Sequence, residues 1–242
     1  MTVRLEVCID DVLGLDACAA GGADRIELCS ALDLGGLTPS PGLIAAAAQS
    51  AVPARAMIRP RAGDFRFTEA EVDAMLADIA AVRAAGLAGV VLGATTADSE
   101  LDKPVLARLV AAAGGLGRTL HRVVDLLPDP VASVDLAVEL GFDCILTSGG
   151  ALIAEAGAAV VAAMVERAAG RIDIMAGSGV RPENAAAIRR ATRAGWLHSS
   201  CARAETNDKD IRRFGFGPAE RRIADPDRIR TLKAAAMLGE PS

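Results

Sequence analysis

Residues 3–29 read VRLEVCIDDVLGLDACAAGGADRIELC, and this stretch decides between two ways of arranging a parallel sheet. Short apolar runs at Val3–Cys8 and Arg25–Cys29 predict two strands, and the alanine-rich segment 11–20 between them predicts a helix. No Gly-x-Gly-x-x-Gly turn follows the first strand, where a dinucleotide-binding fold carries one. The stretch therefore favours a closed barrel over an open doubly wound sheet, which is the structural alternative.

The same strand-and-helix unit recurs along the chain at intervals of roughly 30 residues. Further strands are predicted at Arg55–Arg59, Gly89–Gly93, Arg118–Val123, Cys144–Thr147, Ile172–Ala176 and Trp196–Ser200. Further helices are predicted over 41–51, 68–85, 102–113, 129–140, 152–169, 182–193 and 226–238. Eight βα units in 242 residues fit an α/β fold of the (β/α)₈ TIM-barrel type, whose usual size is ~250 residues.

We predict a single TIM-barrel domain over residues 1–242. The segment 202–225 departs from this alternation of strands and helices, because it is polar, rich in arginine and longer than the ~2 to 6 residues of an ordinary connection. We therefore expect it to form an irregular polar excursion before the last helix.

Composition excludes several classes of function. The chain has 52 % hydrophobic residues and a net charge of −5, and no uncharged apolar run reaches the ~18 to 20 residues of a membrane span. No signal peptide is recognisable and the five cysteines are an odd number, so we expect free thiols and a cytoplasmic location. The absence of basic runs longer than two residues and the few aromatic residues argue against binding to nucleic acid.

In a barrel the chemistry lies at the carboxyl ends of the strands. Strand one ends with Glu6 and Cys8, and strand two ends with Glu27 and Cys29; in each pair both side chains lie on the same face. If the two strands are neighbours, the pairs stand side by side and the two sulfurs lie close together. Paired thiolates suit Cu(I), whereas cysteine alone is also a common buried apolar residue.

Both histidines of the chain, His121 and His198, fall at or near predicted strand ends, where a role in proton transfer is plausible. The other candidate catalytic residues are Glu6, Glu27, Arg122 and Asp125. Two histidines cannot supply a three-histidine zinc site. No lysine lies on a predicted strand, which argues against Schiff-base catalysis. A purely structural role for each histidine is the alternative.

Two arginines, Arg59 and Arg61, follow strand three, and arginine is suited to bidentate binding of carboxylate or phosphate. Small residues after strands six, seven and eight provide backbone N–H groups that an anion can approach. These candidate anion-binding residues are Ser148, Gly149, Gly150, Gly177, Ser178, Gly179 and Ser199. The alternatives are that Arg59 pairs with Glu6 or Glu27 and that Gly-Ser-Gly forms an ordinary tight turn.

Ordered blocks over roughly residues 3–201 resemble the CutC family, known as the copper homeostasis protein family. The blocks include Leu5–Cys8, Ala20–Ser30, Gly35–Ser40, Met57–Arg61, Gly63–Phe65, Val91–Gly93, His121–Arg122, Ile145–Gly150, Ile174–Val180 and His198–Ser200. Two blocks depart from the family pattern: residues 121–125 where an Ala-Phe-Asp ending is usual, and Gly177–Gly179 where three glycines are usual. The segment 202–225 is also hard to align with the family.

The resemblance implies a cytosolic barrel, commonly a homodimer, that handles copper and binds Cu(I) through Cys8 and Cys29. It implies no organic cofactor. A copper carrier does not need arginines, histidines and glutamates at one barrel mouth, so a second hypothesis is a metal-independent enzyme. Its partner would be a small phosphorylated or carboxylated metabolite, held by the two arginines and the glycine-rich loops. Glu6, Glu27 or His121 would move the proton.

Overall fold

The computed structural model describes residues 3–238, which contain a closed barrel of eight parallel strands. The strands are β1 Arg4–Ile9, β2 Arg25–Leu28, β3 Ala54–Met57, β4 Gly89–Leu92, β5 Gly117–Leu120, β6 Cys144–Thr147, β7 Asp173–Ala176 and β8 Trp196–Ser199. Each strand pairs with the next one along the chain, and β8 pairs with β1. The prediction of a (β/α)₈ TIM barrel is confirmed.

Helices alternate with these strands. They are α1 Val12–Gly21, α2 Pro41–Ala47, α3 Glu69–Ala85, α4 Lys103–Ala113, α5 Ser133–Leu140, α6 Ala158–Ala168 and α7 Pro182–Thr192. Their starts follow local capping chemistry; for example, the Thr68 side chain accepts from the Glu71 N–H, and the Glu71 carboxylate accepts from the Thr68 N–H. Among residues 3–238, no helix has the length and apolar character needed to cross a membrane.

The segment between the eighth strand and the last helix is a hairpin, where we expected no regular structure. The antiparallel strands β9 Ala202–Thr206 and β10 Glu220–Ala224 pair with each other, and the short helix α8 Lys209–Arg213 lies between them. Both strands are largely exposed, so their sequence lacks the apolar alternation by which a half-buried strand is recognised. The last helix, α9 Pro226–Met237, packs against α1 and α7 and covers the barrel there.

Side-chain alternation divides the barrel strands into an apolar outer face and an inner face that carries both polar and apolar side chains. On β1, Leu5 and Val7 are buried in the main apolar cluster beneath the helices, whereas Glu6 points into the barrel. Inside, the Arg25 guanidinium forms an ion pair with Glu6 and stacks on the Trp196 ring, 4.0 Å from its centroid. The inner face thus places the charged pair of Glu6 and Arg25 directly beneath the barrel mouth.

Two strands end two or three residues earlier than the sequence predicts. The third ends at Met57 and the fifth at Leu120, and residues 122–126 form a 3₁₀ turn. The His121 Nδ1 atom accepts a hydrogen bond of 3.1 Å from the Val123 N–H and caps that turn. This local bond offers the backbone an alternative to the sheet ladder, and it fixes the orientation of the His121 ring.

Candidate functional site

A series of buried acid–base groups runs across the barrel mouth from β1 through β8 to β2. The His198 Nδ1 atom lies 2.9 Å from Oε1 of Glu6, and its Nε2 atom lies 3.7 Å from Oε2 of Glu27. The strand register brings these groups together, because Glu6 lies opposite His198 on one side and opposite Arg25 on the other. The other oxygen of Glu6 accepts from Arg25, so this carboxylate is fully engaged.

These groups differ in their affinity for a proton. Burial alone would raise the pKa of Glu6, but the His198 hydrogen bond and the Arg25 charge lower it to about 2. Burial alone would lower the pKa of His198, but Glu27, Cys8 and Glu6 hold it well above its usual value. Burial, with the Glu6 charge, raises the pKa of Glu27. Glu6 is thus a fixed anion beside an imidazolium, and Glu27 is the carboxyl group suited to exchange a proton.

A cavity of about 220 Å³ opens at this end of the barrel. It is lined by Cys8, Glu27, Leu32, Gly35, Met57, Arg59, Phe65, His121, Arg122, Leu146 and His198. Three of these residues, Glu27, Arg59 and His121, are at most 5 % exposed, yet each has one polar atom without a hydrogen-bond partner. The atoms are Glu27 Oε1, Arg59 Nε and His121 Nε2. Buried polar groups are normally paired, so three unpaired atoms on residues that line one cavity mark a candidate binding site.

His121 presents a neutral N–H group at this cavity. Because Nδ1 accepts from the backbone, the neutral ring carries its hydrogen on Nε2. Burial and the nearby Arg59 charge lower the pKa of His121 to about 3, so the ring stays uncharged near neutral pH. The ring packs against Phe65 and fills the space above Gly93, where a Cβ atom would lie 2.1 Å from the imidazole. Gly93 is therefore required for this position of His121.

Arg59 is a buried cation held by backbone carbonyl groups. Three of its five N–H groups donate to the carbonyl oxygens of Leu34, Gly36 and Gly63, at 2.8 to 3.2 Å. Its guanidinium lies 4.6 Å from the centroid of the Phe65 ring. No carboxylate within residues 3–238 forms an ion pair with it, so the expected alternative pairing with Glu6 or Glu27 is wrong. The remaining N–H groups leave capacity for a bidentate anion.

The second predicted arginine, Arg61, lies outside the cavity. Its side chain forms ion pairs with Asp64 and Glu71, and these bonds raise its pKa. The structure therefore separates Arg59 and Arg61, which the sequence placed together, because the chain turns at residues 60–63 and carries the second side chain to the surface.

The loop after β6 was predicted to bind an external anion, but an internal carboxylate occupies it. Asp125 accepts from the N–H groups of Ser148 and Gly150, at 3.0 Å, and from the hydroxyl of Thr147. Arg122 pairs with the same carboxylate. Although burial would raise the pKa of Asp125, these bonds lower it. Asp125, Ser148 and Gly150 thus satisfy one another, and Gly149 donates its N–H to the Thr147 hydroxyl.

Four of the predicted anion-binding residues line neither this cavity nor the adjacent cleft described below: Gly177, Ser178, Gly179 and Ser199. The hydroxyl of Ser178 donates to the Leu152 carbonyl, and that of Ser199 donates to the Val180 carbonyl. Gly177 packs against Leu146, and a Cβ atom there would lie 2.5 Å from it. An anion-binding role for Gly177, Ser178, Gly179 and Ser199 stays a prediction.

The two candidate copper ligands differ in their surroundings. The register places Cys8 opposite Glu27, two residues before Cys29, with which it was expected to align, because adjacent barrel strands are staggered. Ligand atoms of Cys8, Glu27 and His198 lie within 4.8 Å of one another, which is compatible with one metal ion. The Cys29 thiol is fully buried 3.7 Å from Glu27, and burial together with that carboxylate raises its pKa well above the usual value.

A larger cleft of about 570 Å³ lies beside the cavity, between the barrel mouth and the hairpin. It is lined by Cys8, Ile9, Asp10, Asp11, Leu32, Asp33, Ser200, Ala202, Arg221, Arg222 and Ala224. Cys8 and Leu32 border both spaces. Sequence reasoning missed this contribution of the hairpin, and it missed Phe65 and Gly93. An aromatic residue directly after the Arg59–Arg61 turn was the one available signal for Phe65.

The fold and site define a (β/α)₈ barrel with acid–base and cationic side chains at the carboxyl ends of its strands. A model of the CutC family matches residues 3–203, and the chain belongs to this family. A family protein CutC of Sinorhizobium medicae is 51 % identical over 96 % of this chain and 95 % of its own length. The Rhizobium meliloti relative is 52 % identical over the same shares.

Among solved structures, a Streptococcus agalactiae CutC protein, named for copper homeostasis, has a TM-score of 0.79 and 32 % identity. The match covers 82 % of this chain and 98 % of that one. A deoxyribose phosphate aldolase of Aeropyrum pernix has a TM-score of 0.62 at 15 % identity, over 82 % of this chain and 86 % of that one. At that identity the likeness shows a shared fold alone.

Proposed function

We propose that the protein is a metal-independent enzyme that binds a small carboxylated or phosphorylated metabolite and transfers a proton. The observation that carries this proposal is the set of three unpaired polar atoms, on Glu27, Arg59 and His121, around one cavity. Leaving a buried polar group unsatisfied costs ~1 to 3 kcal/mol, and more when the group is charged. A ligand that pairs all three atoms recovers this cost on binding.

Each residue has a role that its surroundings define. Arg59 binds the anionic group, since it is a buried cation with free N–H groups and no acidic partner in the described chain. Glu27 accepts or returns the proton, because burial has raised its pKa. His198 positions Glu27 through the 3.7 Å contact between its Nε2 atom and Oε2 of Glu27. Glu6 in turn holds the His198 ring through the 2.9 Å contact between its Oε1 atom and Nδ1.

The test measures ligand-induced stabilisation of the full chain with inorganic phosphate, pyruvate and dihydroxyacetone phosphate. A ligand that binds only the folded state raises the melting temperature. We expect at least one of these compounds to do so, and we expect Arg59→Gln to abolish the rise. Arg61→Gln is the matched control, because Arg61 lies outside the cavity and should leave the rise intact. Equal shifts in both variants, or none in the wild type, contradict the proposal.

A second candidate function is Cu(I) binding, favoured by the family's association with copper and by the cluster of Cys8, Glu27 and His198. Thiolate and imidazole ligands suit Cu(I), and Nε2 of His198 faces the cluster because Nδ1 is engaged by Glu6. Binding would release a proton from His198, whose pKa is held well above its usual value. On this geometry the site is centred on Cys8, whereas the family resemblance implies the pair of Cys8 and Cys29.

The copper test is a Cu(I) titration of the reduced protein against a competing chelator. If the site is centred on Cys8, the Cys8→Ser variant loses tight one-to-one binding and Cys29→Ser keeps it. Loss in both variants favours the two-cysteine site expected from the family resemblance. Unchanged binding in both contradicts a copper site at the barrel mouth.

We further propose a cytoplasmic location and a homodimer, as the family resemblance implies. Sedimentation analysis of the purified chain tests the dimer, and a single species with the mass of one chain, 24.7 kDa, contradicts it.

A further inference from the structure

We infer that the substrate carries a carbonyl group beside the carbon that loses its proton, so that the site forms an enolate. This inference rests on the proposed function and names its reaction. It assigns the carbonyl oxygen to His121, the proton on the neighbouring carbon to Glu27 and the anionic group to Arg59. The evidence is whether each unpaired atom is a hydrogen-bond donor or a hydrogen-bond acceptor.

The His121 ring is a neutral hydrogen-bond donor, and that state suits one task. Its only polar atom without a partner is the Nε2–H donor, because Nδ1 is engaged by the Val123 N–H. A ring locked in this form cannot accept a proton through Nε2, so it is not a general base there. It can donate a hydrogen bond to an oxygen that becomes negative, as a neutral imidazole does in triosephosphate isomerase.

Glu27 carries the opposite kind of group, an unpaired hydrogen-bond acceptor. Its Oε2 atom is close to His198 and to the Cys29 thiol, whereas Oε1 has no partner. The unpaired atom is therefore a buried hydrogen-bond acceptor on a residue that lines the cavity. An unpaired acceptor and a neutral donor on residues around one small cavity match a C–H bond and the carbonyl next to it.

The step balances without a metal or a redox partner. Glu27 Oε1 takes the proton, the electrons of the broken C–H bond form a C=C bond, and the carbonyl π electrons move to the oxygen. His121 Nε2–H stabilises that oxygen, and the Arg59 cation holds the carboxylate or phosphate of the same molecule. Glu27 then returns a proton to the same carbon or to the adjacent one, which gives exchange, epimerisation or isomerisation.

The cavity limits the size of the substrate. Its volume of about 220 Å³ lies below the ~300 to 1,000 Å³ of sites for drug-sized ligands, which favours a molecule of a few carbon atoms. Apolar side chains of Met57, Phe65 and Leu146 form part of the wall. A carbonyl compound with one anionic end fits this lining.

The experiment follows solvent exchange by NMR in D₂O, with 2-oxobutanoate as the carboxylate probe and dihydroxyacetone phosphate as the phosphate probe. We expect the wild-type chain to incorporate deuterium beside the carbonyl of at least one probe, above the rate without protein. Glu27→Gln and His121→Phe should each lower the exchange rate by ~100-fold or more. Asp33→Asn, an exposed carboxylate of the adjacent cleft, is the matched control and should retain the rate.

The outcomes separate the two proposals. Arg59-dependent binding of a probe without exchange overturns the enolate step and leaves the proposed function standing. Absence of both binding and exchange overturns both. Exchange that survives Glu27→Gln and His121→Phe, with each variant confirmed as folded by its thermal transition, overturns the assigned roles.

Discussion

The end of β6 and the end of β3 both carry groups able to bind an anion, but only one end is still free to do so. After β6, Asp125 accepts from Ser148 and Gly150, so the loop is closed by the chain's own carboxylate. After β3, the buried Arg59 is held by carbonyl oxygens and has no acid beside it in the described chain. Stretches of sequence rich in hydrogen-bond donors therefore fold into two kinds of region. In one, a carboxylate of the chain itself pairs the donors; in the other, we propose that a ligand pairs them.

The largest expected effect concerns the loop after β6, whose hydrogen-bond donors are already paired by Asp125. Asp125→Ala leaves the Ser148 and Gly150 N–H groups and the Arg122 charge without their acceptor. Each buried donor that loses its acceptor costs about 1 to 3 kcal/mol of unfolding free energy, and Asp125 accepts from several donors. Urea denaturation measures it, and a loss below ~1 kcal/mol would mean that the loop does not depend on this carboxylate. Asp33→Ala, an exposed carboxylate, is the control.

The second effect is acid sensitivity from Glu6. Its pKa is lowered to about 2 in the folded chain from an ordinary 4.5, so the folded state favours the ionised form. The resulting stability is fully present above pH ~4.5 and is lost as the pH falls towards 2, by about 3 kcal/mol in order of magnitude. Denaturation curves over this pH range should show a steeper loss for wild type than for Glu6→Gln. Parallel curves would contradict the assignment.

A third, smaller effect concerns Gly93 and tests how the His121 ring is held at the cavity. An added Cβ atom would lie 2.1 Å from the His121 ring, so Gly93→Ala forces the ring to move. Overpacking of this kind costs ~1 to 3 kcal/mol. Gly115→Ala is the matched control, since position 115 is exposed and a Cβ atom there meets nothing within 4 Å. NMR signals of His121 should shift only in Gly93→Ala; unmoved signals would show that the ring is not held as described.

The barrel could be read from the sequence because its signals are local and repeated. Strands and helices alternate at one period, and buried strand ends carry polar residues that cannot be explained by packing alone. On this basis Glu27, Arg59, His121 and His198 were all placed at the mouth. The strand stagger was not predictable from composition, so Cys8 was aligned with Cys29 although its neighbour is Glu27.

The remaining differences arise from contacts between distant residues. Nothing in the sequence around Ser148 shows that Asp125, which lies 23 residues earlier, fills the loop. Likewise, Gly93 reads as an ordinary strand-end glycine until the His121 ring is placed over it. Local sequence predicts which chemical groups reach the mouth, but tertiary contacts decide which of them remain unpaired.

The smallest expected effect separates the two neighbouring arginines. Arg61 forms exposed ion pairs with Asp64 and Glu71, and such pairs contribute little to stability. We expect Arg61→Gln to leave both the denaturation midpoint and phosphate-induced stabilisation unchanged at moderate salt. Arg59→Lys, which keeps the charge but loses the planar fork, should weaken that stabilisation while the chain still folds. If the two variants respond alike, the free N–H groups of Arg59 do not bind the anion, and the contrast between the end of β3 and the end of β6 fails.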